Sequence, residues 1–409
     1  MSERLFVWVG PDPVGELARE GRRFDLRFRR AEGARALLTV ASDGEGDAWA
    51  PGFTRAWFDG LLPEGPRRAA AETEHGIERG DTFGLLGAIG WECAGAVSVL
   101  PEGHLPGSGS YRGLSDQEVW ERLDALPRYV AEIDREVRLS LGGVQEKLLL
   151  ARIDDAWQLP LDGALSTHIL KPEPSAHPGL AAAETWALSV ASAATESARA
   201  SLLAPPGHRP TIGVERYDRL VGAGPDGPIG RVHQEDGCQV LGLAPEQKYP
   251  RGVGPRVASL GRIAAMLVAR AADPTVELRR LLEQTVTNVL LLNTDAHAKN
   301  VSVVHRPDRT IALAPLYDLV PTAWFLPGQS QLALPVAGKW RIREVERGHL
   351  LAEARSWGVP ARAARATIDA TISAVAGGSD AADERVPGVS GEMRSAVVGQ
   401  IERVAASPW

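Results

Sequence analysis

One stretch limits what this chain can fold into more than any other: residues 290–318, which hold Asp295 and Asn300 five positions apart in a polar loop. Upstream, residues 279–292 (Arg-Arg-Leu-Leu-Glu-Gln-Thr-Val-Thr-Asn-Val-Leu-Leu-Leu) read as a buried helix that delivers the loop. Downstream, 301–304 and 310–313, split by His-Arg-Pro-Asp-Arg, read as two short strands, and the run Ala-Pro-Leu-Tyr-Asp ends on a second carboxylate, Asp318. Helix, polar loop, hairpin and acid in that order match a phosphoryl-transfer catalytic loop followed by its metal-binding aspartate. The spacing has a chemical reason. One carboxylate must stand beside an attacking hydroxyl, while an amide and another carboxylate hold Mg²⁺ against a triphosphate. Taken alone, the pair has a plainer use, since Asn300 would also cap a turn.

The rest of the composition narrows the class. A chain of 409 residues has room for two or three domains, and 44% hydrophobic with 24% charged residues is an ordinary globular balance. The formal net charge of −7 gives no electrostatic footprint for nucleic acid across the whole chain, so any DNA involvement needs a local patch or a partner. Two cysteines, Cys93 and Cys238, do not make a disulfide framework and suit a reducing compartment. No secretion-type N-terminus and no membrane-length apolar run is read, and a cytoplasmic protein with no membrane contact is expected.

Three segments are expected: 1–104, 105–233 and 234–409. In the first, 5–9 and 14–17 read as a hairpin, 24–28 as an alternating strand, 53–62 as a short helix stopped by Pro63 and Pro66, 81–89 as a helix and 95–100 as a strand. Residues 101–111, rich in Gly, Pro and Ser, read as a linker. In the second, 115–126 reads as a helix with Ser115 as N-cap and Glu118 three residues on. Strand character on both sides of Gly142-Gly143 suggests a hairpin whose tip amides could cover phosphates, though the same pattern makes a plain turn. Lys171 ends a short strand, 166–172, where an ammonium would grip the α- and β-phosphates, or would simply be solvated. Residues 181–194 read as an amphipathic helix carrying Glu184, either an ion-pair partner for Lys171 or a surface residue. If the glycine hairpin is a nucleotide lid, residues 232–235 stand where an adenine would meet backbone groups between two lobes. In the third segment 257–271, 274–292, 345–355, 360–375 and 392–404 carry helical periodicity, and 319–338, with three prolines, reads as a loop over the site.

Together these runs resemble the HipA family of bacterial toxin–antitoxin serine/threonine kinases. The resemblance rests on Ser140-Leu-Gly-Gly-Val-Gln-Glu-Lys147, Thr167-His-Ile-Leu-Lys171, Val214-Glu-Arg-Tyr-Asp-Arg219, Gln234-Glu-Asp-Gly-Cys-Gln239, Lys248-Tyr249, Thr294-Asp-Ala-His-Ala-Lys-Asn300 and Pro315-Leu-Tyr-Asp318. Val14-Gly-Glu-Leu17, Trp57-Phe-Asp-Gly-Leu-Leu-Pro63 and Gly95-Ala-Val extend it over essentially the full length. It implies an α+β, two-lobed protein-kinase-like fold: a β-rich N-lobe with an added N-terminal α+β subdomain, and a helical C-lobe. It further implies Asp295 as catalytic base, with Asn300 and Asp318 as Mg²⁺ ligands. ATP would be held by Leu141, Gly142, Gly143, Val144, Gln145, Glu146, Lys147 and Lys171, by Gln234, Glu235 and Asp236 at the adenine hinge, and by His297. Ser140 matches an autophosphorylated serine, whose phosphate would repel those of ATP. The implied partners are a HipB-like helix-turn-helix antitoxin, DNA only through that antitoxin, and a protein substrate such as an aminoacyl-tRNA synthetase.

Two departures qualify this. Ala296 stands where the family often has Gly, and 321–339 offers little that matches, which leaves the protein target open. His297 either orients the loop or packs in the interior. A histidine two residues after the catalytic aspartate is also a lipid-kinase feature, so a lipid or small-molecule kinase is the alternative enzyme. An antitoxin-bound co-repressor with little kinase activity is the alternative outside enzymes.

Overall fold

The computed structural model describes residues 3–20, 25–34, 38–41, 48–107, 109–126, 146–224, 227–250, 257–328 and 330–409. The chain divides into two compact units, one of residues 1–171, 215–245 and 304–309, the other of 172–214, 246–303 and 310–409. The first unit takes in the expected segment 1–104 and most of 105–233, while 172–214 groups with the second.

The first unit opens on a four-stranded antiparallel sheet, in the order Asp25–Arg30, Asp12–Glu20, Glu3–Val9, Val97–Pro101. Alternation along the strands buries Val7, Leu17, Leu26, Phe28 and Val99. Gly15 lies under the Phe28 ring: a Cβ there would come within 2.5 Å of it and 2.4 Å of the Arg29 carbonyl. Helices Pro51–Asp59, Gly65–Glu74 and Thr82–Ile89 complete the subdomain. The first supplies Trp57 and Phe58, both fully buried, each contributing roughly 1.5–3 kcal/mol by leaving water. The first helix ends before Pro63, as expected, while Pro66, read as part of the same stop, begins the next helix. It lies in the first turn of Gly65–Glu74, where a missing N–H costs nothing and the ring pre-sets φ.

A second antiparallel array in this unit runs Ser110–Gly113, Ala156–Leu161, Leu148–Ile153, His168–Pro172. Strand Ser110–Gly113 therefore takes the end of the segment read as linker. Helix Asp116–Ala125 begins on the expected capping box of Ser115 and Glu118. A hairpin of Arg219–Gly224 and Gly227–Arg231 leads to strand Gln234–Asp236 and the short helix Gly237–Val240.

The second unit is mainly helical. Helix Pro274–Leu290, N-capped by Asp273, is its axis and packs against Leu260–Arg270, Arg347–Ser356, Ala361–Arg385 and Gly391–Ala406. Three expectations need correction here. Helix Leu180–Ala191 is not amphipathic: nearly all of it is buried, Glu184 included at 1% exposure, which rules out Glu184 as a surface residue. Helix Ala361–Arg385 runs ten residues beyond the expected end, straight through Gly377-Gly378. Glycine serves packing there, since a Cβ on Gly378 would lie 2.8 Å from the Val190 carbonyl. The expected loop 319–338 contains helix Thr322–Phe325 and strand Gln331–Val336, which pairs with Lys339–Arg341. Its prolines fall where they are tolerated, Pro321 just before the helix and Pro335 in a two-stranded ribbon. Among the described residues no helix is long and apolar enough to cross a membrane.

Candidate active site

Helix Pro274–Leu290 delivers the loop by a controlled stop. Leu292 turns into the left-handed region at φ 57°, and the buried Asn293 then bridges backwards and forwards. Its Nδ2 donates to Asn288 Oδ1 at 2.7 Å, and its Oδ1 accepts from the Asp295 N–H at 3.0 Å. That second bond is an Asx turn, which fixes the backbone of the expected base directly. Thr294 is held from the other side, its N–H donating to Thr322 Oγ1 at 2.7 Å and its carbonyl accepting from the Ala333 N–H at 2.8 Å.

Around Asp295 the loop closes on itself. The Asp295 carbonyl accepts from the His297 N–H at 2.7 Å and from Asn300 Nδ2 at 3.0 Å, and residues Ala298–Asn300 form one 3₁₀ turn. The five-residue spacing thus becomes a tight loop, with the Asn300 side chain bonded across it. Because the amide nitrogen is turned inward, Oδ1 is the atom left for a cation. The Asp295 carboxylate is half-buried and its Oδ1 accepts from the Tyr249 hydroxyl at 2.7 Å.

Strands Ser302–His305 and Ile311–Leu313 bring the chain back, with the Ala314 N–H donating to the Ser302 carbonyl. Glu277 and Gln284 of the 274–290 helix hold the return strand: Glu277 Oε2 accepts from the Leu313 N–H and Gln284 Nε2 donates to the Ala314 carbonyl, each at 2.8 Å. The Tyr317 hydroxyl then donates to the Lys299 carbonyl at 2.6 Å, so the residue before Asp318 is bonded to the residue before Asn300. Asp318 itself is left-handed at φ 55°, an uncommon conformation for a side chain with a Cβ and one found often at functional turns. Asp295, Asn300 and Asp318 are therefore brought to one loop cluster within the second unit.

The other expected residues are distributed as follows. Lys171 belongs to the first unit and is only 9% exposed, which removes the reading of a solvated strand-end lysine. Glu184 belongs to the second. Glu146 and Lys147 are half-buried just before strand Leu148–Ile153. Ser140, Leu141, Gly142, Gly143, Val144 and Gln145 lie outside the described residues. The His297 ring is buried and packs edge-on against Tyr249, with centroids 5.3 Å apart.

At the expected adenine hinge the side chains are already engaged. Fully buried Glu235 accepts from Trp57 Nε1 at 2.8 Å and from the Val40 N–H at 2.9 Å, and its Oε2 lies 2.9 Å from His305 Nε2. Burial alone would raise its pKa, but His305 and its neighbours outweigh that and the carboxyl is held below its ordinary value. His233, stacked on His305, is pushed down to about 3, chiefly by burial. Asp236 caps helix Gly237–Val240, and Gln234 Nε2 donates to Asp218. A nucleotide contact at 234–236 would fall to backbone groups.

Sequence reasoning gave no role to Asn293, nor to Tyr249 beyond its place in a shared motif. An Asn directly after a helix and two before the key aspartate was a readable Asx-turn signal. Tyr249 comes from 46 positions away, and nothing local announces it.

Comparison with known proteins agrees with this architecture. Residues 5–100 match the HipA N-terminal domain family and residues 139–378, more than half of the chain, match the HipA-like C-terminal domain family. The Sinorhizobium fredii protein Y4mE is 33% identical over 390 residues, 91% of each chain. The serine/threonine-protein kinase toxin HipA of Shewanella oneidensis is 30% identical over 309 residues, 73% of this chain and 70% of that one. Among solved structures, the fold is similar to that of the Shewanella oneidensis MR-1 HipA, HipB and operator DNA complex, with a TM-score of 0.81 at 24% identity over 98% of this chain and 96% of that one. The loop cluster, the order of its elements and the two domain matches place this chain in the HipA family of serine/threonine-protein kinase toxins.

Proposed function

We propose that this chain transfers the γ-phosphoryl group of ATP, with Mg²⁺, to a serine or threonine of a protein, as the toxin of a HipB-like antitoxin pair. The observation that carries the reading is the Asp295 carboxylate, held by its backbone through Asn293 and by its Oδ1 through Tyr249. Those bonds fix one oxygen and leave Oδ2 to take the proton of an incoming hydroxyl. Asn300 and Asp318 suit Mg²⁺, which takes one or two protein oxygens and completes its shell with phosphate and water. When bound, the ion would neutralise charge on the transferring phosphates. Buried Lys171 would meet the α- and β-phosphates, with 141–147 as the phosphate loop. Residues 234–236 would meet the adenine through their backbone.

The similarity to a HipA–HipB–operator complex supports a helix-turn-helix antitoxin as partner. A net charge of −7 suits contact with DNA through that partner rather than by the kinase alone. A translation component such as an aminoacyl-tRNA synthetase is the substrate class proposed, and the cytoplasm the compartment.

The deciding experiment incubates the purified chain with γ-labelled ATP and a cell lysate that contains both protein and lipid. Label in discrete protein bands, lost when EDTA removes Mg²⁺, is the expected result. Label confined to lipid or small molecules would overturn the assignment. A second outcome concerns Ser140. Ser140→Ala is expected to abolish self-labelling while ATP binding, measured by calorimetry, stays within about twofold, because a hydroxyl is lost from a residue that need not touch the nucleotide. Phosphopeptide mapping that puts the self-label elsewhere would refute it.

A further inference from the structure

Tyr249 is the side chain, among the described residues, that donates a hydrogen bond to the Asp295 carboxylate. It is built into that position from several directions. The Lys248 carbonyl accepts from the Ala298 N–H at 3.2 Å, which ties this segment to the catalytic loop. The phenol ring meets the buried His297 ring edge-on at an interplanar angle of 81°, and the Lys248 ammonium lies 5.6 Å from the phenol's centroid. A ring held by these contacts points its hydroxyl in one direction, at 2.7 Å from Asp295 Oδ1.

A carboxylate has two chemically equivalent oxygens and rotates about one bond. An untethered carboxylate also samples angles at which neither oxygen lies in line with the acceptor, which dilutes the near-attack geometry. We infer that Tyr249 is a positioning residue: by occupying Oδ1 it presents Oδ2 of Asp295 to the acceptor hydroxyl. The inference rests on the reading of Asp295 as the base. It also accounts for the otherwise unassigned Lys248-Tyr249 motif, and gives His297 its work as the wall against which the phenol is set. An opposite role is physically available, because a hydroxyl bonded to the base occupies ground that a substrate hydroxyl needs. In that case Tyr249 would be a pseudosubstrate latch, and the two roles differ in sign.

The test uses the full chain and the protein band labelled by the wild type, or self-labelling if that is stronger. Tyr249→Phe removes only the hydroxyl and keeps the ring contact with His297, so folding is preserved, as thermal unfolding would check. The expected result is a kcat about tenfold lower, the change produced by losing one hydrogen bond to a charged group, with the KM for ATP unchanged. Tyr249→Ala, which also removes the wall contact, is expected to fall further. An unchanged or raised kcat in Tyr249→Phe would overturn the positioning role, a rise marking the latch. Asp295→Asn run in parallel separates the two levels: if it keeps full activity the base assignment fails, whereas a dead Asp295→Asn beside a fully active Tyr249→Phe defeats only the inference about Tyr249.

Discussion

Asp295→Asn is expected to lower phosphoryl transfer by about 10²- to 10⁴-fold while leaving the fold in place. The magnitude is that of a positioned general base, and here the position is over-determined. The Asp295 N–H is held by Asn293, its carbonyl by His297 and Asn300, and its Oδ1 by Tyr249. Three of these four contacts use the backbone and survive the substitution, and an amide oxygen can still accept from Tyr249. The substitution therefore removes the charge and the proton-accepting oxygen, and little else. The measurements are initial rates of label transfer, nucleotide affinity by calorimetry and a thermal melt. A melt within about a degree of wild type with ATP affinity retained and transfer lost is the expected set. Transfer at wild-type rate would reject Asp295 as the base. A large fall in melting temperature would instead make the aspartate a structural member of the loop.

How far the sequence reveals this site depends on distance along the chain. Helix 274–290, the Asp295–Asn300 loop and the two strands that return Asp318 are contiguous, each element follows from local periodicity, and all appear close to where expected. The capping box at Ser115 and the hairpin at the N-terminus are local in the same sense. What the sequence hides is pairing across long separations. Tyr249 reaches Asp295 from 46 positions away, and Glu235 reaches Trp57 from 178. Neither pairing leaves a periodic trace. Burial of charge was equally illegible. Glu184 lies in an Ala-rich run that reads as amphipathic because Glu is usually outside, yet the whole helix is enclosed. Proline misled twice in the same direction, over-read as a breaker at Pro66 and at 321–335, since its effect depends on whether its missing N–H had a partner to lose.

Glu92→Ala is expected to be the most destabilising single substitution in the first unit, costing about 3–5 kcal/mol, because it leaves two buried guanidiniums to share one carboxylate, Asp218. Glu92 Oε1 accepts from Arg216 Nη1 at 3.0 Å, from Arg219 Nη2 at 3.0 Å and from the Ser166 N–H at 2.9 Å. Asp218 closes the cluster, with Oδ1 2.9 Å from Arg216 Nε and Oδ2 accepting from the Gly95 N–H at 2.7 Å. Every one of these side chains is 3% exposed or less. The Glu-Arg-Tyr-Asp-Arg run at 215–219 is thus a strap fastened to 92–95 within the first unit. Among the described residues Glu92 Oε2 has no hydrogen-bond partner, so Glu92→Gln keeps the shape but places an amide where only one oxygen was used. It should cost less than the alanine and more than a surface change. The cluster also sets the acid limit of stability. Burial opposes ionisation of Asp218, but Arg216 and Arg219 outweigh it and hold the carboxyl below its ordinary value. A depressed folded value means that its contribution is fully present above the unfolded pKa of about 3.9 and is lost as pH falls through the folded one. His233, neutral down to about 3 against roughly 6.5 unfolded, loses stability earlier on the same descent, from below about pH 6.5. Urea unfolding at pH 7 and pH 5 checks the strap and His233, whereas Asp218 answers only below about pH 4. Glu92→Ala should lower the midpoint sharply at either pH, and the wild type should be less stable at pH 5 than at pH 7. A Glu92→Ala midpoint within about 1 kcal/mol of wild type would mean that the two arginines find other partners, and that the strap is not what holds 215–219 to 92–95.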